Sequence, residues 1–348
     1  MSSFAPTVLV VSRNGSILLW DGESPRGVQL LERIEGGVNL AVVGPQGDRL
    51  FLATAAGQIR MWFRSTEPGL SWVGSVSGPL TSAAFDSQSQ LALTATFDGT
   101  CAIWDVESGE RIAVLEGPRG PVPQVTFHRD AKRVLVASFD GTARLWETTG
   151  GTHPILFRGP ENAVTAAALS PDGSQVLTAH FDGSAFVWNL DGKRRLTLKG
   201  RSGQVTCASF SPDGTQILAS FSDGTSRIWS ALTGKLDVQL AGHEDWINSA
   251  CFSPDGARVL TASRDGEARV WDAASGEVLL SLAALTGPIR RASFAHDGNR
   301  ILTLAVDGRV HTWRSLTKGA LAEFARTRVF RQLSHDELEE YGFERAQG

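Results

Sequence analysis

Short apolar runs separated by turns of Gly, Pro, Asp and Ser recur from one end of the chain to the other. Between Val205 and Leu240 the order is "VTCASF", the turn "SPDG", "TQILASF", the turn "SDG", "TSRIWS" and "KLDVQL". Runs of this kind, bounded by turn residues, predict four strands of one twisted antiparallel sheet. No copy offers an apolar i, i+3, i+4, i+7 stripe between its turns, so the repeating part is read as all β.

Tryptophan marks the period. Trp20, Trp62, Trp104, Trp146, Trp188, Trp229, Trp271 and Trp313 follow one another at intervals of 42, 42, 42, 42, 41, 42 and 42 residues, and only Trp72 and Trp246 fall outside the series. A fixed period means one supersecondary unit copied along the chain. A lone four-stranded sheet cannot cover both of its faces, so the copies must stack face to face, and closing the ring removes the exposed end faces. The prediction is an eight-bladed β-propeller of four-stranded antiparallel blades over residues 1–330. Seven blades with the first partial copy packed outside is the alternative.

Within the period a second phrase repeats, as in "TFDGTCAIW", "SFDGTARLW", "HFDGSAFVW" and "SRDGEARVW". Asp98, Asp140, Asp182, Asp223, Asp265 and Asp307 each stand six residues before a Trp, while Asn14 and Ala56 replace the Asp in the first two copies. Asp-Gly is a hairpin signal, because Gly tolerates positive φ and the Asp carboxylate can accept from nearby backbone N–H groups. These aspartates are therefore read as scaffold.

The stretch "GHEDWINSACFSPDGARVLTASRDGEARVWD", Gly242 to Asp272, resembles the repeat of the WD-repeat β-propellers nearly position by position. The resemblance covers roughly residues 7–326. It implies a hydrogen-bonded set inside the blade, formed here by His243, Ser263, Asp265 and Trp271. Other copies place Gly117-Pro118, Gly159-Pro160, Gly200-Arg201 or Gly287-Pro288 where Gly242-His243 stands. The set is then mostly incomplete, and blade stability is expected to lean on apolar packing. The family hosts many unrelated roles, so the resemblance speaks to fold more than to function.

The first copy begins almost at its second strand, "TVLVVS", and continues with "SILLW" and "VQLLERI". An inner strand is missing there, and "RTRVFRQL", left over after the last copy, is expected to supply it. Beyond it, "LSHDELEEYGFE" has Ser334 and Glu337 at capping-box spacing, Leu333 and Leu338 at staple spacing, and Gly342 as a stop. A short helix is expected in the tail, 331–348. The tail resembles those that follow the last repeat in bacterial WD-repeat proteins, including ones fused to signalling modules, which implies a bacterial source.

Composition narrows the function. With 42% hydrophobic residues the chain can bury a large core, and 37 acidic against 33 basic residues give a net charge of −4. That balance offers no basic field for nucleic acid or an anionic membrane. Cys101, Cys207 and Cys251 form no C-x-x-C pair and are read as small buried residues in a reducing compartment. At the start of the chain only Val8 to Val11 runs unbroken as apolar, far short of a signal-peptide core or a bilayer span, so a cytoplasmic protein is expected. His128, His153, His180, His243, His296, His311 and His335 are spread along the chain without ligand spacing, and neither a G-x-S-x-G elbow nor a P-loop occurs. No enzyme, metal or cofactor is predicted.

Binding remains, and propellers bind with the loops around the channel mouth. Just before each turn Asp the register places Arg13, Ala55, Phe97, Phe139, Phe181, Ser222, Arg264 and Val306. On the same face, where each innermost strand opens, stand Gly37, Pro79, Pro121, Ala163, Gln204, Trp246 and Pro288. Phe97, Phe139 and Phe181 form an aromatic arc edged by Pro79 and Pro121; Arg264, Arg290 and Arg13 form a basic arc opposite, with Trp246 the aromatic outlier. Such a face suits a protein or peptide with apolar anchors and an acidic end. The blander readings are that each Phe folds over its own hairpin and that the arginines are solvated rim charges. A non-catalytic interaction scaffold or sensor, in a signalling assembly, is the predicted function. A small-molecule-binding, glycan-binding or hydrolytic propeller using the central channel is the alternative.

Overall fold

The computed structural model describes residues 8–11, 16–20, 28–33, 38–45, 48–63, 69–149, 153–160, 162–199, 203–283, 287–295, 298–306 and 310–314. They form eight antiparallel sheets in chain order. Sheet 1 has three strands, Val8–Val11, Ser16–Trp20 and Val28–Arg33. Sheet 2 joins Leu40–Val43, Arg49–Ala53, Gln58–Phe63 and Gly69–Ser75. Sheet 3 joins Leu80–Phe85, Leu91–Thr96, Cys101–Asp105 and Arg111–Leu115. Sheet 4 joins Gln124–Phe127, Arg133–Ala137, Thr142–Glu147 and Ile155–Arg158. Sheet 5 joins Val164–Leu169, Gln175–His180, Ser184–Asn189 and Arg194–Lys199. Sheet 6 joins Val205–Phe210, Gln216–Phe221, Thr225–Ser230 and Leu236–Ala241. Sheet 7 joins Ile247–Phe252, Arg258–Ser263, Glu267–Asp272 and Val278–Ala283. Sheet 8 has three described strands, Ile289–Phe294, Arg300–Ala305 and Val310–Arg314.

Each strand pairs with its sequence neighbour, and from sheet 2 to sheet 8 the first strand of each sheet packs beside the first strand of the next. These first strands form the inner wall of an eight-bladed β-propeller. The expected closing strand and tail helix fall within 315–348, outside the described residues.

The apolar runs follow from this stacking. A second strand such as Leu91–Thr96 is buried at nearly every position because a sheet covers each of its faces, whereas the outer strand Arg111–Leu115 is mostly exposed. Each core lies between two consecutive sheets: Leu93, Ala95 and Ile103 of sheet 3 meet Val125, Val134 and Trp146 of sheet 4. Trp104, Trp188, Trp229 and Trp271 repeat the arrangement at their own interfaces. An indole that removes about 200 Å² from water contributes on the order of 5 kcal/mol as an upper value, so the spaced tryptophans account for much of the stacking energy.

Candidate functional site

Backbone bonds fix the register of the proposed face. The N–H before each turn Asp donates to the carbonyl of the residue that opens the innermost strand: Phe97 to Pro79, Phe139 to Pro121, Phe181 to Ala163, Ser222 to Gln204, Arg264 to Trp246 and Val306 to Pro288. Both sets of loops therefore share one end of the propeller. Phe97, Phe139 and Phe181 are 61%, 46% and 58% exposed. Their rings are not folded away over their hairpins, and three consecutive sheets present phenylalanine to solvent at one position. Arg264 and Arg290 are exposed on sheets 7 and 8, while Arg13 lies outside the described residues.

Beneath the face the turn aspartates are spent on the scaffold. The Oδ1 atoms of Asp98, Asp140, Asp182, Asp223 and Asp265 accept from the backbone N–H two residues on; Asp307 falls outside the described residues. Side-chain and backbone donation from Thr96 and Thr100 holds the Asp98 carboxyl down at about 2. In sheet 7, Asp265 accepts from His243 Nδ1 at 2.7 Å, His243 Nε2 accepts from Thr261 Oγ1 at 2.7 Å, and Thr261 accepts from Trp271 Nε1 at 2.8 Å. Burial lowers the His243 pKa, so the ring is neutral and can accept at Nε2. The expectation that Ser263 supplies the hydroxyl is corrected: Ser263 Oγ donates to the Asp245 carbonyl instead. Two residues apart on one strand, both hydroxyls point to the same side of the sheet, and Thr261 is the one level with the indole.

Where the loop histidine is missing, other polar side chains approach the turn Asp or the indole in three of the sheets. In sheet 4 Arg144 pairs with Asp140 at 2.8 Å. In sheet 6 Arg227 lies 3.8 Å from Asp223 and over the Phe221 ring. In sheet 5 a histidine arrives from the second strand: His180 Nε2 meets Thr178 Oγ1 at 3.1 Å, and Thr178 accepts from Trp188 Nε1 at 2.9 Å. Its Nδ1 faces the Asn162 carbonyl at 3.3 Å, while Asn162 Nδ2 donates to Asp182. A Cβ on Gly159 would stand 2.2 Å from the His180 ring, so this glycine makes the room.

The innermost strands carry a feature the sequence did not suggest. A β-bulge leaves Thr81, Thr165, Thr206, Asn248 and Arg290 without a ladder partner, and a bulge re-aims its side chain. Thr81 donates to the Val122 carbonyl and Asn248 to the Ile289 carbonyl, each on the next sheet. Thr165 and Thr206 donate to carbonyls of their own sheets. These groups at the channel mouth are thereby committed to holding strands together. Trp246 is half-buried beneath Arg264, whose guanidinium carbon sits 4.4 Å from the indole centroid.

Cys101 is buried and Cys207 and Cys251 are half-buried; burial pushes the Cys101 thiol up to about 12 and that of Cys251 to about 11. No group of His, Cys, Asp and Glu that could hold a metal ion occurs among the described residues.

Stacked four-stranded sheets with a loop face around an inner wall define a repeat propeller. Five consecutive segments, 67–105, 109–147, 151–189, 192–230 and 234–272, match the WD domain, G-beta repeat family, and the chain belongs to it. Each matched segment takes in the outer strand of one sheet and ends in the third strand of the next, so every repeat ties two blades together covalently. Among solved structures the chain is similar to the computationally designed Ika8 protein, with a TM-score of 0.77 and 24% identity over 90% of this chain and 94% of that one. That likeness shows the fold alone. No curated protein matches the sequence. WD-repeat propellers typically serve as protein-interaction scaffolds and are generally non-catalytic.

Proposed function

We propose that the protein is a non-catalytic scaffold that binds a protein or peptide partner through the loop face around the central channel. The observation that carries the reading is the triplet Phe97, Phe139 and Phe181, exposed at one register position on three adjacent sheets. Exposed aromatics set close together on a rigid frame are the usual energetic anchors of an interface, since burial of each ring on binding is worth about 2 kcal/mol or more. The turn aspartates and inner-strand hydroxyls beneath are occupied with backbone, which supports a frame that presents these rings. Membership of a bacterial signalling assembly is part of the proposal and is supported by the resemblance of the tail.

Site-specific photocrosslinking tests this. A photoreactive phenylalanine analogue at position 139 should trap a discrete partner in cells, and the same analogue at Leu232, which is 74% exposed in the turn between the third and fourth strands of sheet 6, should not. Equal trapping from both positions, or from neither, refutes the reading.

A further inference from the structure

We infer that Arg264, stacked on Trp246 and steered by Asn248, is a preformed carboxylate-binding fork, and that the segment recognised by this face is a peptide carrying an acidic residue. The inference rests on the proposed binding face. It adds the chemistry of what binds.

Among the described residues the other arginines with close carboxylates are already matched: Arg49 with Asp48, Arg133 with Asp130, Arg144 with Asp140, Arg227 with Asp223, Arg258 with Asp255 and Arg269 with Glu267. Arg264 has no such partner and is nevertheless held in place. Its guanidinium lies over the Trp246 ring at 4.4 Å, and its Nε donates to Asn248 Oδ1 at 3.3 Å. The indole lies against the guanidinium and Asn248 occupies Nε, while the two terminal nitrogens of this exposed residue make no hydrogen bond or ion pair among the described residues and remain as a fork. That geometry matches the two oxygens of a carboxylate, and stacking reduces the rotamer freedom lost on binding.

Asn248 also ties in the second cation. Its Nδ2 donates at 2.8 Å to the carbonyl of Ile289, the residue immediately before the exposed bulge residue Arg290. One amide thus couples the arginine turn of sheet 7 to the arginine bulge of sheet 8. Asp245 Oδ1 accepts from the Trp246 N–H at 2.6 Å, and no carboxylate among the described residues forms an ion pair with Arg264. The corresponding turn positions on sheets 2 to 6 and 8 carry Ala55, Phe97, Phe139, Phe181, Ser222 and Val306. The charge therefore belongs to this quadrant, four, three and two sheets along from Phe97, Phe139 and Phe181. A peptide spanning the mouth would place apolar side chains on one side and a carboxylate on the other.

The probe is a phage-displayed library of random 12-residue peptides, selected on the full chain, with the enriched consensus resynthesised for anisotropy titration. Enriched peptides should share an Asp or Glu at fixed spacing from an aromatic or aliphatic cluster. Arg264→Gln and Arg264→Lys should each weaken the consensus by tenfold or more at an unchanged thermal midpoint. Changing the peptide acid to its amide should cost the same factor on the parent protein and nothing further on Arg264→Gln. Failure to enrich any peptide, enrichment without an acidic residue, or binding to Arg264→Gln within twofold of the parent overturns the inference. The combined Phe97→Ser, Phe139→Ser and Phe181→Ser change separates the two readings. If it abolishes binding while Arg264→Gln does not, the carboxylate fork falls and the aromatic face stands; the reverse pattern retains the fork and removes the aromatic reading.

Discussion

A reciprocal pair of substitutions tests whether the hydroxyl that accepts from the indole, in the blades that have one, is a stabilising part of the blade. Trp146 Nε1 is buried with no hydrogen-bond partner, and the residue ten positions before it is Val136. At the same offset Thr178, Thr261 and Thr303 accept from Trp188, Trp271 and Trp313. Val136→Thr should give Trp146 its acceptor, and the new O–H faces the carbonyl of Arg144, its ladder partner, as Thr94, which accepts from Trp104, faces Ala102. Satisfying a buried donor is worth about 1–3 kcal/mol, and losing a buried methyl costs about 0.8 kcal/mol, so a net gain of about 1 kcal/mol is expected. Thr261→Val works in the opposite sense: it keeps the shape but strands both Trp271 Nε1 and His243 Nε2, and should cost about 2–3 kcal/mol. Urea midpoints at equal slope measure both, and slowed exchange of the Trp146 indole proton would report the new bond. A Val136→Thr protein less stable than the parent by more than about 1 kcal/mol, or a neutral Thr261→Val, would refute the reasoning.

Two further outcomes follow from the histidines. Gly159→Ala should cost about 2 kcal/mol or more because its methyl would enter the space of the His180 ring, and His180→Ser in the same chain should restore much of the loss, as chemical denaturation would reveal. Burial lowers the pKa of His180 and of His243 below the ordinary 6.5. Their contribution is then complete above pH 6.5 and is lost as pH falls through the folded values, because the unfolded chain takes up protons first. A plot of urea midpoint against pH should fall below about 6.5, and replacing both rings with Gln should flatten that limb; an unchanged limb would contradict the assignment.

Strand positions, the blade period and the loop register were legible because each depends on a local signal repeated along the chain. Val205–Phe210, Gln216–Phe221, Thr225–Ser230 and Leu236–Ala241 fall on the runs that the alternation of apolar segments and turns marks out. The polar wiring was less legible, because it depends on where side chains meet between strands. Thr261 and Ser263 look equivalent in sequence, and only the offset of ten residues from a Trp singles out the bonding hydroxyl. His180 stands in for a loop histidine from another strand, which no linear motif encodes; the neighbouring Gly159 was its only trace. Bulges at Asn248 and Arg290 redirect side chains that simple alternation would assign to one face. The exposure of the three Phe residues was undecided in sequence because a turn residue has no periodic inside.

The face itself is tested most directly by changing Phe97, Phe139 and Phe181 together to Ser and measuring stability and partner affinity on one preparation. Phenylalanines exposed by 46% or more in the free protein contribute little to its core, so the urea midpoint should hold within the equivalent of about 1 kcal/mol. Affinity for the crosslinked partner should fall well over tenfold. A loss of several kcal/mol in stability, with binding reduced only in proportion to the unfolded fraction, or an unchanged affinity, would contradict the account.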